Sequence, residues 1–361
     1  MLNETTMHHE NETDGLIGEE SPSGDDRLLG NQSHYGDDRQ IVIGVVFVVL
    51  MILGLLLNSA VLFTFKSTPR LRTHTNMFIM GCVGGDLSMV IIGFPFIIIP
   101  CFRGLWDFGE VMCASYGFMM SVLAVANMTI LAVIAVDRFI VIMNFRIAKK
   151  ITRFHCVLIL VLCYVYGLCW ATPPLLGWGN FDLEPNRLTC GPDWRNGDSS
   201  VRSYNYALFT MIFCVSGTVI FVSYAGIFLQ VRKHRINSVS VPLTATRLLE
   251  IHVASSAFLM IMGFFAAWSP YAVLSLWTMF NDVSKLSPTV AIFAPMFAKS
   301  ACVWNPLIYA FKNNELRNAL FNKVSRSFRQ NPLPGPENGS RERKRNGNTQ
   351  SRPARPIEIN V

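Results

Sequence analysis

Lys299 is the residue of this chain best placed to do chemistry. It lies near the middle of Leu286 to Phe311, a stretch otherwise uncharged and long enough to cross a bilayer, six residues before Asn305-Pro306-Leu307-Ile308-Tyr309. Taking an ammonium into a membrane helix costs roughly 2.5–3.5 kcal/mol on insertion scales, so ionisable residues at that depth are rare and usually functional. Two chemistries answer the cost. Either the ammonium pairs with a carboxylate, or the amine is used as a nucleophile that condenses with an aldehyde to a Schiff base.

Six further stretches have the apolar length of a membrane span, about 20 residues at 1.5 Å rise across a ~30 Å hydrocarbon core. They are Ile41 to Phe65, Met77 to Cys101, Val111 to Val136, Cys156 to Trp178, Tyr204 to Leu229 and Val253 to Phe280. Hydrophobic residues make up 51% of the chain, a share that a soluble domain can reach, so the assignment rests on their collection into blocks separated by short polar connections. The ten-residue alternation of a membrane barrel is absent. The expected fold is an all-α membrane protein, a seven-transmembrane helix bundle over residues 41–311.

Residues 1–40 hold ten Asp or Glu against two Arg, whereas the segment after Phe311 holds eleven Lys or Arg against four Glu. The connections after spans one, three and five are basic too, with Lys66, Arg70 and Arg72, then Arg146, Lys149, Lys150 and Arg153, then Arg232, Lys233, Arg235 and Arg247. By the positive-inside rule these connections and the C-terminus are expected in the cytoplasm and the N-terminus outside the plasma membrane. Asn3, Asn11 and Asn31 open glycosylation sequons in the outer tail, while Asn127 and Asn338 open the same pattern where no glycan is expected. The opening residues lack the regions of a signal peptide, so the first span is expected to target the chain.

Composition rich in Gly, Asn, Pro, Ser and charge makes 1–40 a glycosylated extracellular tail and 330–361 a disordered cytoplasmic tail, with no second domain. In 312–329, Leu316, Leu320, Val324 and Phe328 recur every fourth residue among Lys323, Arg326 and Arg329, the spacing of a short amphipathic helix on the membrane surface. Loops and tail facing anionic lipid account for the net charge of +7, and no nucleic acid partner is required. Among nine cysteines, Cys82, Cys156, Cys163, Cys169, Cys214 and Cys302 read as small apolar residues of the spans. Cys101, Cys113 and Cys190 lie on the outer side, where a disulfide persists, and Cys190 has either of the other two as a partner.

Several short motifs fall in order along the spans. Asn58 lies in Gly54-Leu55-Leu56-Leu57-Asn58, Asp86 in span two, and Asp137-Arg138-Phe139 at the inner end of span three. Span six carries Phe264 and Trp268-Ser269-Pro270-Tyr271, and span seven Asn305 to Tyr309. Over roughly residues 41 to 325 the chain resembles the rhodopsin-like G protein-coupled receptors. The resemblance implies a Cys113–Cys190 disulfide and a hydrogen-bonded cluster of Asp86 with Asn58 and Asn305. It also implies a switch built from Asp137, Arg138, Tyr224, Asn305, Pro306 and Tyr309, a heterotrimeric G protein as partner, and an arrestin and a receptor kinase acting on the inner side. A receptor is implied, not an enzyme, with no metal site.

Phe297-Ala298-Lys299-Ser300-Ala301 resembles the retinal attachment site of animal opsins. That implies retinal held on Lys299 as a Schiff base, 11-cis in the dark and all-trans after light. A protonated Schiff base is a buried cation and needs a carboxylate nearby. Tyr116, one turn inward from Cys113, stands where vertebrate visual pigments place their acid. Glu184, six residues before Cys190, matches the counterion position of many invertebrate and non-visual members; Tyr116 is expected to assist it by hydrogen bond and Asp182 to be solvated. Members with this arrangement often keep a stable photoproduct, which implies bistability.

Retinal is expected to press on Trp268 and Tyr271 and so on span six, kinked at Pro270. Glu250 lies twenty residues before Pro270, roughly 30 Å along a helix, near Arg138, where a salt bridge is expected to lock the dark state. Departures from the family are Ser216-Gly217 in place of a proline, Tyr164 in place of tryptophan, Phe139 in place of tyrosine, and Asn313-Asn314-Glu315. They bear on the class of G protein and leave retinal attachment untouched. Two other readings stand beside signalling by light: a receptor for a diffusible ligand in which Lys299 pairs with an acid, and a retinal photoisomerase.

Overall fold

The structure, a computed structural model, describes residues 25–184, 187–237, 245–281, 286–312 and 317–319. Seven spans are built from α1 (Asp25–Ser67), α2 (His74–Ser88) with α3 (Pro95–Arg103), α4 (Gly109–Met143), α6 (Arg153–Ala171), α7 (Ser199–Leu208) with α8 (Val215–Asn237), α9 (Ala245–Phe280), and α10 (Pro288–Lys299) with α11 (Ala301–Lys312). A one-turn helix, α5 (Phe145–Ala148), follows span three. Among the described residues six helical stretches are long and apolar enough to cross a membrane without a sharp bend, and the seventh span is the pair α10 and α11, bent by 43°. Large apolar side chains face outward, among them Leu56, Phe63, Phe154, Phe221 and Val273, each more than 60% exposed, while Asn58, Asp86, Asn127, Asp137, Arg138 and Asn305 are buried. That inversion suits a lipid solvent, since a water-soluble surface does not carry contiguous large apolar side chains.

Span three is the hub. It packs against spans two, four, five and six, and 56% of its apolar window is buried, against 17% for span one. The helix of span one begins at Asp25, inside the stretch that the sequence assigns to the tail. Residues 25–40 contain no proline, and extending an existing helix avoids the cost of nucleating a new one. Asn3, Asn11, residues 330–361 and the four apolar positions of the surface helix, Leu316, Leu320, Val324 and Phe328, lie outside the described residues.

Prolines and their neighbours shape the spans. Pro306 has no N–H to give the carbonyl of Cys302 four residues earlier, and Asn58 of span one donates its Nδ2 to that carbonyl instead, at 3.0 Å. Span two passes through a π-helical segment, Met89–Gly93, just before Pro95, and span five through another, Phe209–Cys214, although Ser216 and Gly217 stand where the family resemblance expects a proline. Such wide turns re-aim the side chains that follow them and frequently occur at functional sites.

Between spans four and five the chain forms a hairpin, β1 (Phe181–Leu183) antiparallel to β2 (Cys190–Pro192), with Leu183 opposite Cys190. Gly179, at φ +90, turns the chain into it in a conformation that side chains disfavour, and a Cβ there would meet the Tyr204 ring at 2.7 Å. A disulfide joins Cys190 to Cys113 at a Cα separation of 5.4 Å, while Cys101 keeps a free, buried thiol. The hairpin is thereby tied to the start of span three.

Candidate functional site

Lys299 ends α10 at the bend of span seven, and Glu184 directly follows β1. The Lys299 Nζ donates to Glu184 Oε1 at 2.9 Å and Oε2 at 3.2 Å. Glu184 is 4% exposed and the Lys299 side chain 13%. A buried ion pair repays its desolvation only when further hydrogen bonds complete it. Here Thr189 supplies them from across the hairpin: its Oγ1 donates to Glu184 Oε2, and its carbonyl accepts the Glu184 N–H at 2.7 Å. Strand register therefore sets where the carboxylate points. Tyr116 is buried between the rings of Phe96 and Trp106, at 6.0 and 5.7 Å, and its hydroxyl makes no hydrogen bond among the described residues, so the expected bond from Tyr116 is not formed here. Asp182 is half-exposed and pairs with Arg195 at 3.1 Å.

The amine opens onto a cavity of about 170 Å³. Span three contributes Gly117, Met120 and Ala124, span five Phe209, Ile212 and Phe213, span six Phe264, Trp268, Tyr271 and Ala272, and the hairpin covers it with Cys190, Gly191 and Pro192. Gly117 is required by close approach, because a Cβ there would stand 2.7 Å from the Phe181 ring under the hairpin. Trp268 stacks on Phe264 at 5.7 Å and meets Tyr271 edge-on at 6.1 Å, on either side of Pro270. The walls are apolar and aromatic apart from a few polar groups, with one amine and one carboxylate. Chemically this is a slot for an elongated apolar molecule with a carbonyl end that an amine can attack.

Below the cavity sits a polar cluster. Asp86 accepts from Asn305 Nδ2 at 3.0 Å and from Asn127 Nδ2 at 2.8 Å. Asn58 does not bond Asp86: its Nδ2 is engaged by the carbonyls of Gly54 and Cys302, the latter freed by Pro306. The expected cluster thus forms with Asn127 in place of Asn58.

At the far end of span three, Arg138 donates to Asp137 Oδ2 at 2.8 Å and to Glu250 Oε2 at 2.9 Å, closing span three onto span six. Thr75 of span two donates to Asp137 Oδ2 at 2.5 Å and accepts from Arg138 Nη2. Tyr309 donates to Asn76 Oδ1 at 2.7 Å, tying span seven to span two. Tyr224 donates to the Ala254 carbonyl of span six at 3.2 Å. The structure so brings the sequence-selected residues into three groups, at the cavity, at Asp86 and at Arg138. Sequence reasoning passed over Thr75, Asn76, Asn127 and Thr189; Asn127 stood out only as a sequon, and a threonine carries no signal of its own.

Comparison with known proteins agrees with this arrangement. The family described as "7 transmembrane receptor (rhodopsin family)" matches residues 57–309. The human visual pigment-like receptor peropsin is 32% identical over 268 residues, 74% of this chain and 80% of that receptor. Mouse opsin-3 is 33% identical over 273 residues, 75% of this chain and 68% of its own length. Among solved structures, the crystal structure of squid rhodopsin superposes with a TM-score of 0.75 at 27% identity, covering 81% of this chain and 87% of that one. A seven-span bundle with a lysine and its acid beneath a disulfide-anchored hairpin, matched over most of its length by these proteins, belongs to the animal opsins of the rhodopsin family of seven-transmembrane receptors.

Proposed function

We propose that this chain is a light-sensing receptor that carries retinal on Lys299 and activates a heterotrimeric G protein. The observation that carries the reading is the Lys299–Glu184 pair, an amine and its acid at the wall of an apolar, aromatic cavity covered by the hairpin. Retinal attached as a Schiff base to Lys299, 11-cis in the dark and all-trans after light, supplies the absorption of light and a change of shape. Glu184, oriented by Thr189, balances the positive charge on the Lys299 nitrogen, and the hairpin keeps water from it. Trp268 and Tyr271 receive the displacement beside Pro270, where the missing N–H leaves span six one backbone hydrogen bond short and so easier to bend. The other end of span six is held by Arg138 and Glu250, so force at the kink works against that lock. A bundle with one latch and one buried ligand is a two-state switch, its populations set by the differential contacts of the ligand.

On this reading the disulfide end faces outward. Residues 1–40 form the extracellular tail carrying Asn3, Asn11 and Asn31, 312–329 lie on the inner surface of the plasma membrane, and 330–361 form the cytoplasmic tail. The G protein, and after it an arrestin and a receptor kinase, engage the Arg138 end. A carboxylate on the hairpin rather than on span three supports a bistable pigment.

The test is to incubate the purified protein with 11-cis retinal and record spectra before and after illumination, with Lys299→Ala alongside. A light-sensitive visible band absent from the variant is expected, together with light-dependent nucleotide exchange on added G protein. Failure of the band overturns the reading. A band with isomer turnover and no exchange gives the photoisomerase reading instead.

A further inference from the structure

We infer that Arg195 is a positioning residue for Glu184: it grips β1 and so holds the carboxylate against the Lys299 nitrogen, an inference that rests on the retinal reading above. The hairpin has only three residues in each strand, and a two-stranded ribbon of that size is marginal unless something ties it down. β2 is tied by the Cys113–Cys190 disulfide. β1, which leads directly into Glu184, contains no cysteine and needs another hold.

Arg195 supplies it. Its Nη2 donates to the Leu183 carbonyl at 2.6 Å and to Asp182 Oδ2 at 3.1 Å, the two residues immediately before Glu184. Donation from a guanidinium is charge-assisted and stronger than a bond between neutral groups. Arg195 is anchored in turn. Its backbone N–H and that of Asn196 donate to Asp193 Oδ1 at 2.9 and 3.3 Å, and the Asp193 carbonyl accepts from Asn205 Nδ2 of span five at 2.7 Å. A line of bonds thus runs from span five through the Asp193 turn and the Arg195 side chain to the peptide that carries Glu184. Thr189 orients the carboxylate within the hairpin; Arg195 fixes where that strand stands.

The charge of Arg195 acts in the opposite direction from its grip. A cation near the Schiff base disfavours protonation of the nitrogen, so deleting the charge alone raises the Schiff-base pKa, whereas letting Glu184 withdraw lowers it. The sign of the change separates the two roles. Besides Lys299, the titratable side chains that feel Glu184 are Tyr116 of span three and Tyr271 of span six, phenols of a type that ordinarily titrates near pH 10.

The decisive experiment is a pH titration of the visible band in pigments formed with 11-cis retinal from wild type, Arg195→Met, Asp182→Asn and the double variant. Methionine keeps an apolar stem and removes the donors and the charge. Arg195→Met is expected to move the midpoint about one pH unit toward acid. The double variant, with the net charge of wild type, should move equally, and Asp182→Asn, which keeps the bond to Leu183, should stay at wild type. A midpoint unchanged or raised in Arg195→Met overturns the inference, and so does a double variant that returns to the wild-type value. An equal fall in Asp182→Asn overturns the assignment to the Leu183 bond. Loss of pigment in Arg195→Met alone makes it a folding residue and overturns the positioning role, whereas no pigment in wild type overturns the retinal reading itself.

Discussion

Lys299 and Glu184 are 115 residues apart in the chain, and their ammonium and carboxylate meet at 2.9 Å. Neither is stable alone at that depth. Span seven presents the cation at its bend, and the hairpin, pinned through Cys190 to span three, presents the anion. Removing one member of a buried pair typically costs about 3–5 kcal/mol, because the other charge is left uncompensated.

Glu184→Gln keeps the shape and removes the charge. With retinal bound, the Lys299 nitrogen then gives up its proton at neutral pH, and the absorption band moves from the visible to the ultraviolet. Spectra recorded across a pH titration check this, and a spectrum unchanged from wild type throughout would show that another group balances the cation.

Thr189→Val should lower the stability of the folded protein by about 1.5–3 kcal/mol, the worth of a hydrogen bond to a charged group. Thr189→Ser should restore most of it, since the hydroxyl is what Glu184 needs. Thermal unfolding of the two variants beside wild type makes the comparison. Equal losses in both would mean that the methyl group matters and the hydroxyl does not.

Arg138 bridges to Glu250 across spans three and six at 2.9 Å. Glu250→Gln weakens that latch while leaving Asp137 and Thr75 on the arginine, so dark, retinal-free nucleotide exchange should rise several-fold. Unchanged basal exchange would place the lock elsewhere.

Cys113 and Cys190 close a loop with a sequence separation of 77, which in the chain-entropy model is worth about 4.5 kcal/mol. Cys113→Ser and Cys190→Ser should each release the hairpin and abolish the light-sensitive band, whereas Cys101→Ser, at a free thiol in the same region, should leave it. Loss of pigment in Cys101→Ser as well would break the distinction.

Much of this was legible in the chain because it depends on local properties. Apolar blocks of membrane length marked the spans, the cost of a lone ammonium marked Lys299, and the order of Asn58, Asp86, Asp137-Arg138, Trp268-Ser269-Pro270 and Asn305-Pro306 marked the family. Glu184 came from the resemblance to opsins whose counterion lies on the outer loop before the cysteine at Cys190, and Glu250 from twenty residues of helical rise. For Cys190, residue type and side left two partners open; the family pattern favoured Cys113, and the fold placed that residue beside it.

What completes each buried charge was decided only by the folded bundle. Asn58 turned away from Asp86 because Pro306 had freed a carbonyl within its reach, and Asn127 took its place. Thr189 and Thr75 became ligands of Glu184 and Asp137, and Tyr116, chosen for its position along span three, stands between two rings without a hydrogen bond among the described residues. Hydropathy and spacing are summed along the chain and can be read from it. The partner of a short polar side chain is set by ångström-scale placement of segments remote in sequence, and that placement exists only once they have packed.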